Sequence, residues 1–165
     1  VLKTMFENKK YTKEYLALVK GRVRDELTID KPIEKADSSI KVKMTCNTKQ
    51  GKASKTYIYP VEFNKTNNTT LVKVIPVTGR QHQIRVHLDS IGHTIVGDPI
   101  YGVDESIVND YLSKKLAPQK RIEHTGAERL MLHANRLAFT YNDSEYDIMS
   151  EQAKTIFNQF SRIDF

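Results

Sequence analysis

The chain has a single cysteine, Cys46, among 165 residues, so no internal disulfide can form and stability must come from a packed core. That usage fits a reducing compartment, and a cytoplasmic location is expected. Tryptophan is absent and glycine (7) and proline (5) are sparse, which excludes collagen-like and low-complexity classes. The longest apolar run is the five residues 15–19, far short of the roughly 20 that a membrane span requires. Lysines and glutamates interrupt residues 1–20, which therefore do not resemble a secretory leader. An acidic excess is missing as well.

What is present is a regional positive charge. Lys and Arg total 26 against 20 Asp and Glu, a formal +6. Residues 1–56 carry 14 basic and 7 acidic side chains, whereas residues 57–165 carry 12 and 13. A basic region of this kind fits a polyanion, although a solvated lysine-rich surface would look the same. Leu2, Met5 and Phe6 show helical spacing directly after Val1, which predicts a chain that opens inside a helix, as a cut piece of a longer protein would.

The apolar pattern predicts an α+β domain around a mainly antiparallel sheet with flanking helices, occupying residues 1–165 as one unit. The run Tyr15 to Val19 reads as a strand covered on both faces and closed by Gly21. Ile40, Val42 and Met44 alternate with lysines as in a half-exposed strand. Tyr57 to Phe63 and Leu71 to Val77 read as a strand pair joined by the Asn64–Asn68 loop. Thr78-Gly79-Arg80-Gln81 fits a capping box that opens a helix carrying Ile84, Leu88 and Ile91 and ending at Gly92. A helix over Glu105 to Leu116 broken by Pro118, a strand over Leu130 to Tyr141 and a helix over Glu151 to Phe160 complete the expectation.

The segment Thr78 to Gly102 carries most of the histidines. His82 and His87 are five apart, about 140° around a helix, so they diverge, and the HExxH spacing is absent. No metal site is expected, and neither a GxSxG elbow nor a Gly-rich phosphate loop occurs. On the predicted helix, Arg85 shares a stripe with Gln81 and Asp89, and an ordinary i, i+4 pair with Asp89 is its simplest explanation.

Three motifs together resemble the RluA-type RNA pseudouridine synthases. They are Lys13-Glu14-Tyr15-Leu16-Ala17-Leu18-Val19-Lys20-Gly21, the long run from Thr78-Gly79-Arg80 through His82-Gln83-Ile84-Arg85-Val86-His87-Leu88 to Gly97-Asp98-Pro99 and Tyr101-Gly102, and Arg129-Leu130-Met131-Leu132-His133-Ala134. Thr94 stands where that family usually has proline. The resemblance implies the family's catalytic fold, incomplete at its N-terminus, and isomerisation of uridine to pseudouridine in structured RNA without a cofactor. It implies that Tyr15 stacks on the uracil, that Arg85 pairs with a catalytic aspartate, and that Leu132 packs the base pocket. Arg80, His82, Gln83 and His87, with the lysines of residues 9–55, become expected RNA contacts. Ribosomal RNA is favoured over transfer RNA, with no membrane partner.

The family's nucleophile lies in a His-Arg-Leu-Asp motif ahead of the tyrosine motif, and none of the fourteen residues before Tyr15 is an aspartate. Asp98 falls in the family's Gly-Asp turn, where a structural role is the default. The chain is therefore expected to be the C-terminal portion of the catalytic domain, inactive alone, and to self-associate through a truncated sheet edge. A non-catalytic RNA-binding module is the alternative.

Overall fold

The computed structural model describes residues 11–46 and 50–159. The expected helix at residues 2–6 lies outside them. Strands β1 (Tyr11–Lys20), β2 (Leu27–Asp30), β5 (Lys55–Asn64), β6 (Thr69–Pro76), β7 (Leu132–Tyr141) and β8 (Ser144–Met149) form one sheet in the order β2-β5-β6-β1-β7-β8. Every neighbouring pair in it is antiparallel. A two-stranded ribbon pairs β3 (Glu34–Lys35) with β4 (Met44–Thr45). Four helices lie among the described residues: α1 (Gln83–Asp89), α2 (Glu105–Leu112), α3 (Pro118–Thr125) and α4 (Ala153–Ile156). The fold is mixed α+β, as expected.

β1 is central because its side chains are apolar on both faces. Ala17 and Val19 pack with Val72, Val74, Ile58, Ile84 and Leu88 on the side covered by α1. Leu16 and Leu18 point the other way, onto Leu71, Ala153 and Phe157. Alternation along an extended backbone thus turns one unbroken apolar run into the seam of two cores. A third cluster, with Ile40, Cys46, Val86, Ile100, Tyr101 and Val108, seats the β3–β4 ribbon against α1.

Several expected elements take a different form. The strand over residues 40–44 shrinks to Met44–Thr45, because the backbone before it closes a turn. There the Lys43 N–H reaches the Ile40 carbonyl, and Ser38 Oγ accepts from the Ile40 N–H. Pro118 opens α3 as its first residue rather than merely ending α2, a position where the missing N–H costs nothing. The final helix covers only Ala153–Ile156. β8 went unforeseen. Asn142 and Asp143, both with positive φ (48° and 57°), make the two-residue turn that suits antiparallel strands, with Tyr141 opposite Ser144.

Candidate active-site cleft

A β-bulge between Glu14 and Tyr15 shifts the β1–β7 register, so that Tyr15 lies opposite Ala134 and Ala17 opposite Leu132. Tyr15 and Leu132 are thereby diagonal neighbours on one face, although far apart in sequence. Above them run Pro76, Thr78, Gly79, Arg80 and His82, then Gln83, Ile84 and Arg85 of α1. These residues enclose a cleft of about 170 Å3, with mostly apolar walls and room for one planar ring. The structure brings Tyr15, Leu132, Arg80, His82, Gln83 and Arg85 together there. His87 is not among them.

Arg85 is held by Asp98. Its Nε donates to Oδ2 and its Nη2 to Oδ1, both at 2.7 Å. The Asp98 side chain is 1 % exposed and the Arg85 side chain 13 %. Oδ1 also accepts the backbone N–H groups of Ile100 and Tyr101, at 2.9 and 3.1 Å. This corrects the expectation that Arg85 faces only an acid from outside the chain. It also removes the local pair with Asp89, whose Oδ1 accepts the Thr94 hydroxyl instead. Arg85 still lines the cleft beside Tyr15, and its Nη1 donates to no described residue. A bidentate pair fixes the plane of the guanidinium, so the remaining donor edge is preset.

Tyr101 and His82 extend this anchored corner. The Arg85 Cζ lies 5.1 Å from the Tyr101 ring centroid. The Tyr101 hydroxyl accepts from the Met44 N–H at 3.0 Å and meets His82 Nδ1 at 3.1 Å. Burial pushes the Tyr101 phenol up to about 12, so it keeps its proton. Burial first, and then the Arg85 charge, hold His82 below its ordinary value and therefore neutral near pH 7. His82 sits at φ 54°, directly before α1, where no side chain caps the helix.

The expected capping box is not formed. Thr78 Oγ1 donates to Gln83 Oε1 at 2.6 Å and accepts from the Lys55 N–H at 3.3 Å. Gln83 Oε1 also accepts the Arg80 N–H at 3.0 Å. Its Nε2 donates to the Lys55 carbonyl and to Thr56 Oγ1. With every hydrogen-bonding position of the amide filled, buried Gln83 braces the 78–80 segment and has nothing left to offer RNA.

His87 needs the same correction. It is fully buried, with Nε2 at 3.0 Å from the Lys31 carbonyl and Nδ1 at 2.8 Å from Thr56 Oγ1. The carbonyl can only accept, so Nε2 carries the proton and Nδ1 accepts the threonine hydroxyl. Protonation would break that second bond, and burial accordingly lowers the His87 value. In the unfolded chain the ring takes up a proton below its ordinary value of 6.5. Stability from this site is therefore complete above that value and is lost as pH falls below it. Denaturant midpoints should drop between pH 7 and pH 5, and the drop should be smaller in His87→Gln. An unchanged pH slope in the variant would refute the assignment.

The antiparallel α+β sheet thus carries a small cleft in which an aromatic ring, Tyr15, and an arginine anchored by Asp98 lie side by side. The model of the RNA pseudouridylate synthase family matches residues 1–90. A Helicobacter pylori protein described as an uncharacterized RNA pseudouridine synthase is 39 % identical over 154 residues, covering 90 % of this chain and 48 % of that one. The tRNA pseudouridine synthase C of Pasteurella multocida is 36 % identical, covering 87 % of this chain and 58 % of its own length. Among solved structures, human RNA pseudouridylate synthase domain containing 1 superposes with a TM-score of 0.71 at 26 % identity, over 94 % of this chain and 61 % of that one. The chain belongs to the RNA pseudouridylate synthase family. It spans about half the length of the first curated relatives it matches.

Proposed function

We propose that this chain supplies the base-holding part of a centre that isomerises uridine to pseudouridine in structured RNA. In that reaction the C1′–N1 bond of the nucleotide breaks, the uracil turns, and a C1′–C5 bond forms. The C5 proton leaves and N1 gains one. Tyr15 offers a ring for stacking and a phenol near C5, Leu132 packs the opposite edge, and the free donor of Arg85 faces the acid that initiates the step. The observation that carries this reading is the convergence of Tyr15, Leu132 and an Asp98-anchored Arg85 on one small cleft. Enclosing one base in it requires the nucleotide to be flipped out of its stack.

The nucleophilic aspartate is proposed to come from residues outside these 165, since no His-Arg-Leu-Asp occurs among them. Asp98 does not replace it, because its carboxylate already serves Arg85 and two backbone donors. Structured RNA is the proposed target class. The Pasteurella relative is named for transfer RNA, and that name gives no support to ribosomal RNA as the target.

The purified chain should release no tritium from RNA labelled at uridine C5, yet should bind a uridine-containing stem-loop with an affinity that falls steeply with salt. Tyr15→Ala should weaken that binding by about tenfold, since stacking on one aromatic contributes roughly 1–3 kcal/mol. Robust turnover would overturn the missing-nucleophile reading. Turnover-free binding that ignores Tyr15→Ala would leave only a generic RNA-binding module.

A further inference from the structure

A larger cavity, of about 500 Å3, adjoins the cleft and shares Gly79 and Arg80 with it. Its remaining walls come from the β3–β4 ribbon and the chain that follows, including Glu34, Lys35, Met44 and Lys52. Three cations thus face one acid. Arg85, Lys55 and Arg136 all sit in ion pairs, but Lys35, Lys52 and Arg80 pair with no acid among the described residues. Among the described residues the Arg80 side chain makes one hydrogen bond, from Nε to the Ala53 carbonyl at 3.5 Å, which leaves its terminal nitrogens available. Met44, half-buried, adds apolar surface to the same cavity, with Ile33 buried behind it.

The seam between the two cavities is permissive. A side chain at Gly79 would meet nothing within 4 Å, so the backbone there is open to close approach from outside. The cleft has space for one ring only, and a strand that places a base in it must carry its next sugar and phosphate across a rim. At the Gly79–Arg80 rim, unpaired cations continue directly from the apolar cleft.

We propose that this cavity is a subsite for the nucleotide adjoining the flipped uridine in the same strand. Lys35, Lys52 and Arg80 would hold its phosphodiester, and Met44 would take the apolar face of its base. The ligand class is single-stranded RNA, and the inference rests on the base-binding reading of the cleft.

The test uses the full chain and two probes, uridine monophosphate and a uridine pentanucleotide, with binding followed by fluorescence anisotropy as salt is varied. Lys35→Gln combined with Lys52→Gln should weaken the pentanucleotide about tenfold and flatten its log–log salt slope by roughly 0.7 per lost phosphate contact. Uridine monophosphate should bind that variant as it binds the parent chain. A control pair of equal charge, Lys65→Gln with Lys115→Gln, lines neither cavity and should leave the slope within error. Equal losses for the two pairs, or an equal loss for the mononucleotide, would overturn the subsite. If the parent chain binds neither probe, the cleft reading falls and takes the subsite with it. If pentanucleotide binding responds to Tyr15→Ala but not to the Lys35 and Lys52 changes, the subsite alone is lost.

Discussion

Asp98→Ala should destabilise the chain by on the order of 3–5 kcal/mol, the range seen when one partner of a buried ion pair is removed. The substitution orphans four donors at once: Nε and Nη2 of Arg85 and the N–H groups of Ile100 and Tyr101. Surface pairs offer a contrast. Arg136 and Asp147 also meet in a bidentate arrangement, at 2.7 and 2.6 Å, but both lie in water on the outer strands. A pair of that kind is worth about 0–1 kcal/mol. Urea titrations of Asp98→Ala and Asp147→Ala should separate the two by several-fold in lost stability. Repeating Asp98→Ala on an Arg85→Met background should cost less, because half of the orphaned donors are already gone, and a coupling of about 0.5–3 kcal/mol is expected. Additive losses would show that the two side chains do not depend on each other. Asp98→Ala should also weaken the uridine binding proposed for the cleft, since among the described residues Asp98 accepts both hydrogen bonds of the Arg85 guanidinium and only the Tyr101 ring remains beside it.

Gly97→Ala should be at least as damaging, at about 4 kcal/mol or more, which for a single methyl group is exceptional. Gly97 has φ +79°, and a Cβ there would fall 1.8 Å from the Arg129 carbonyl oxygen, which is backbone and cannot swing aside. Gly92 supplies the internal comparison. Its φ is +78°, but nothing lies within 4 Å of its Cβ position. Gly92→Ala therefore meets only the left-handed strain, roughly 1–2 kcal/mol. The difference between the two variants isolates close approach from backbone conformation, and comparable midpoints would contradict it. Gly97 immediately precedes Asp98, so displacement there propagates to the carboxylate and on to Arg85.

The parts of this molecule that could be read from its residues are those set by local pattern. The run from Tyr15 to Val19 could only be a strand with two covered faces, and the β5–β6 hairpin announced itself through its Asn-rich loop. Pairings across space were beyond reach. Nothing in the spacing of Arg85 and Asp98, thirteen residues apart over a helix end and two turns, marks them as partners. The roles of Gln83 and His87 are hidden for a related reason: a polar side chain on a short helix looks alike in sequence whether it meets RNA or a buried threonine. Burial decided, because β2 and β5 deliver the Lys31 and Lys55 carbonyls and the Thr56 hydroxyl to that side of α1. The Asn142-Asp143 turn, by contrast, carries a local signal, since both residues tolerate left-handed backbone.

The position of β1 has a bearing on how the molecule assembles. β5 with β6 and β7 with β8 are hairpins that can zip from their own turns, on the timescale of microseconds. β1 must then be captured between them, pairing Tyr15 with Val74 on one flank and Ala134 on the other. Such distant closures dominate folding times. Tyr15 and Leu132 are thus brought together by a pairing that neither hairpin turn can supply, and the two hairpins without β1 would lack the floor of the cleft.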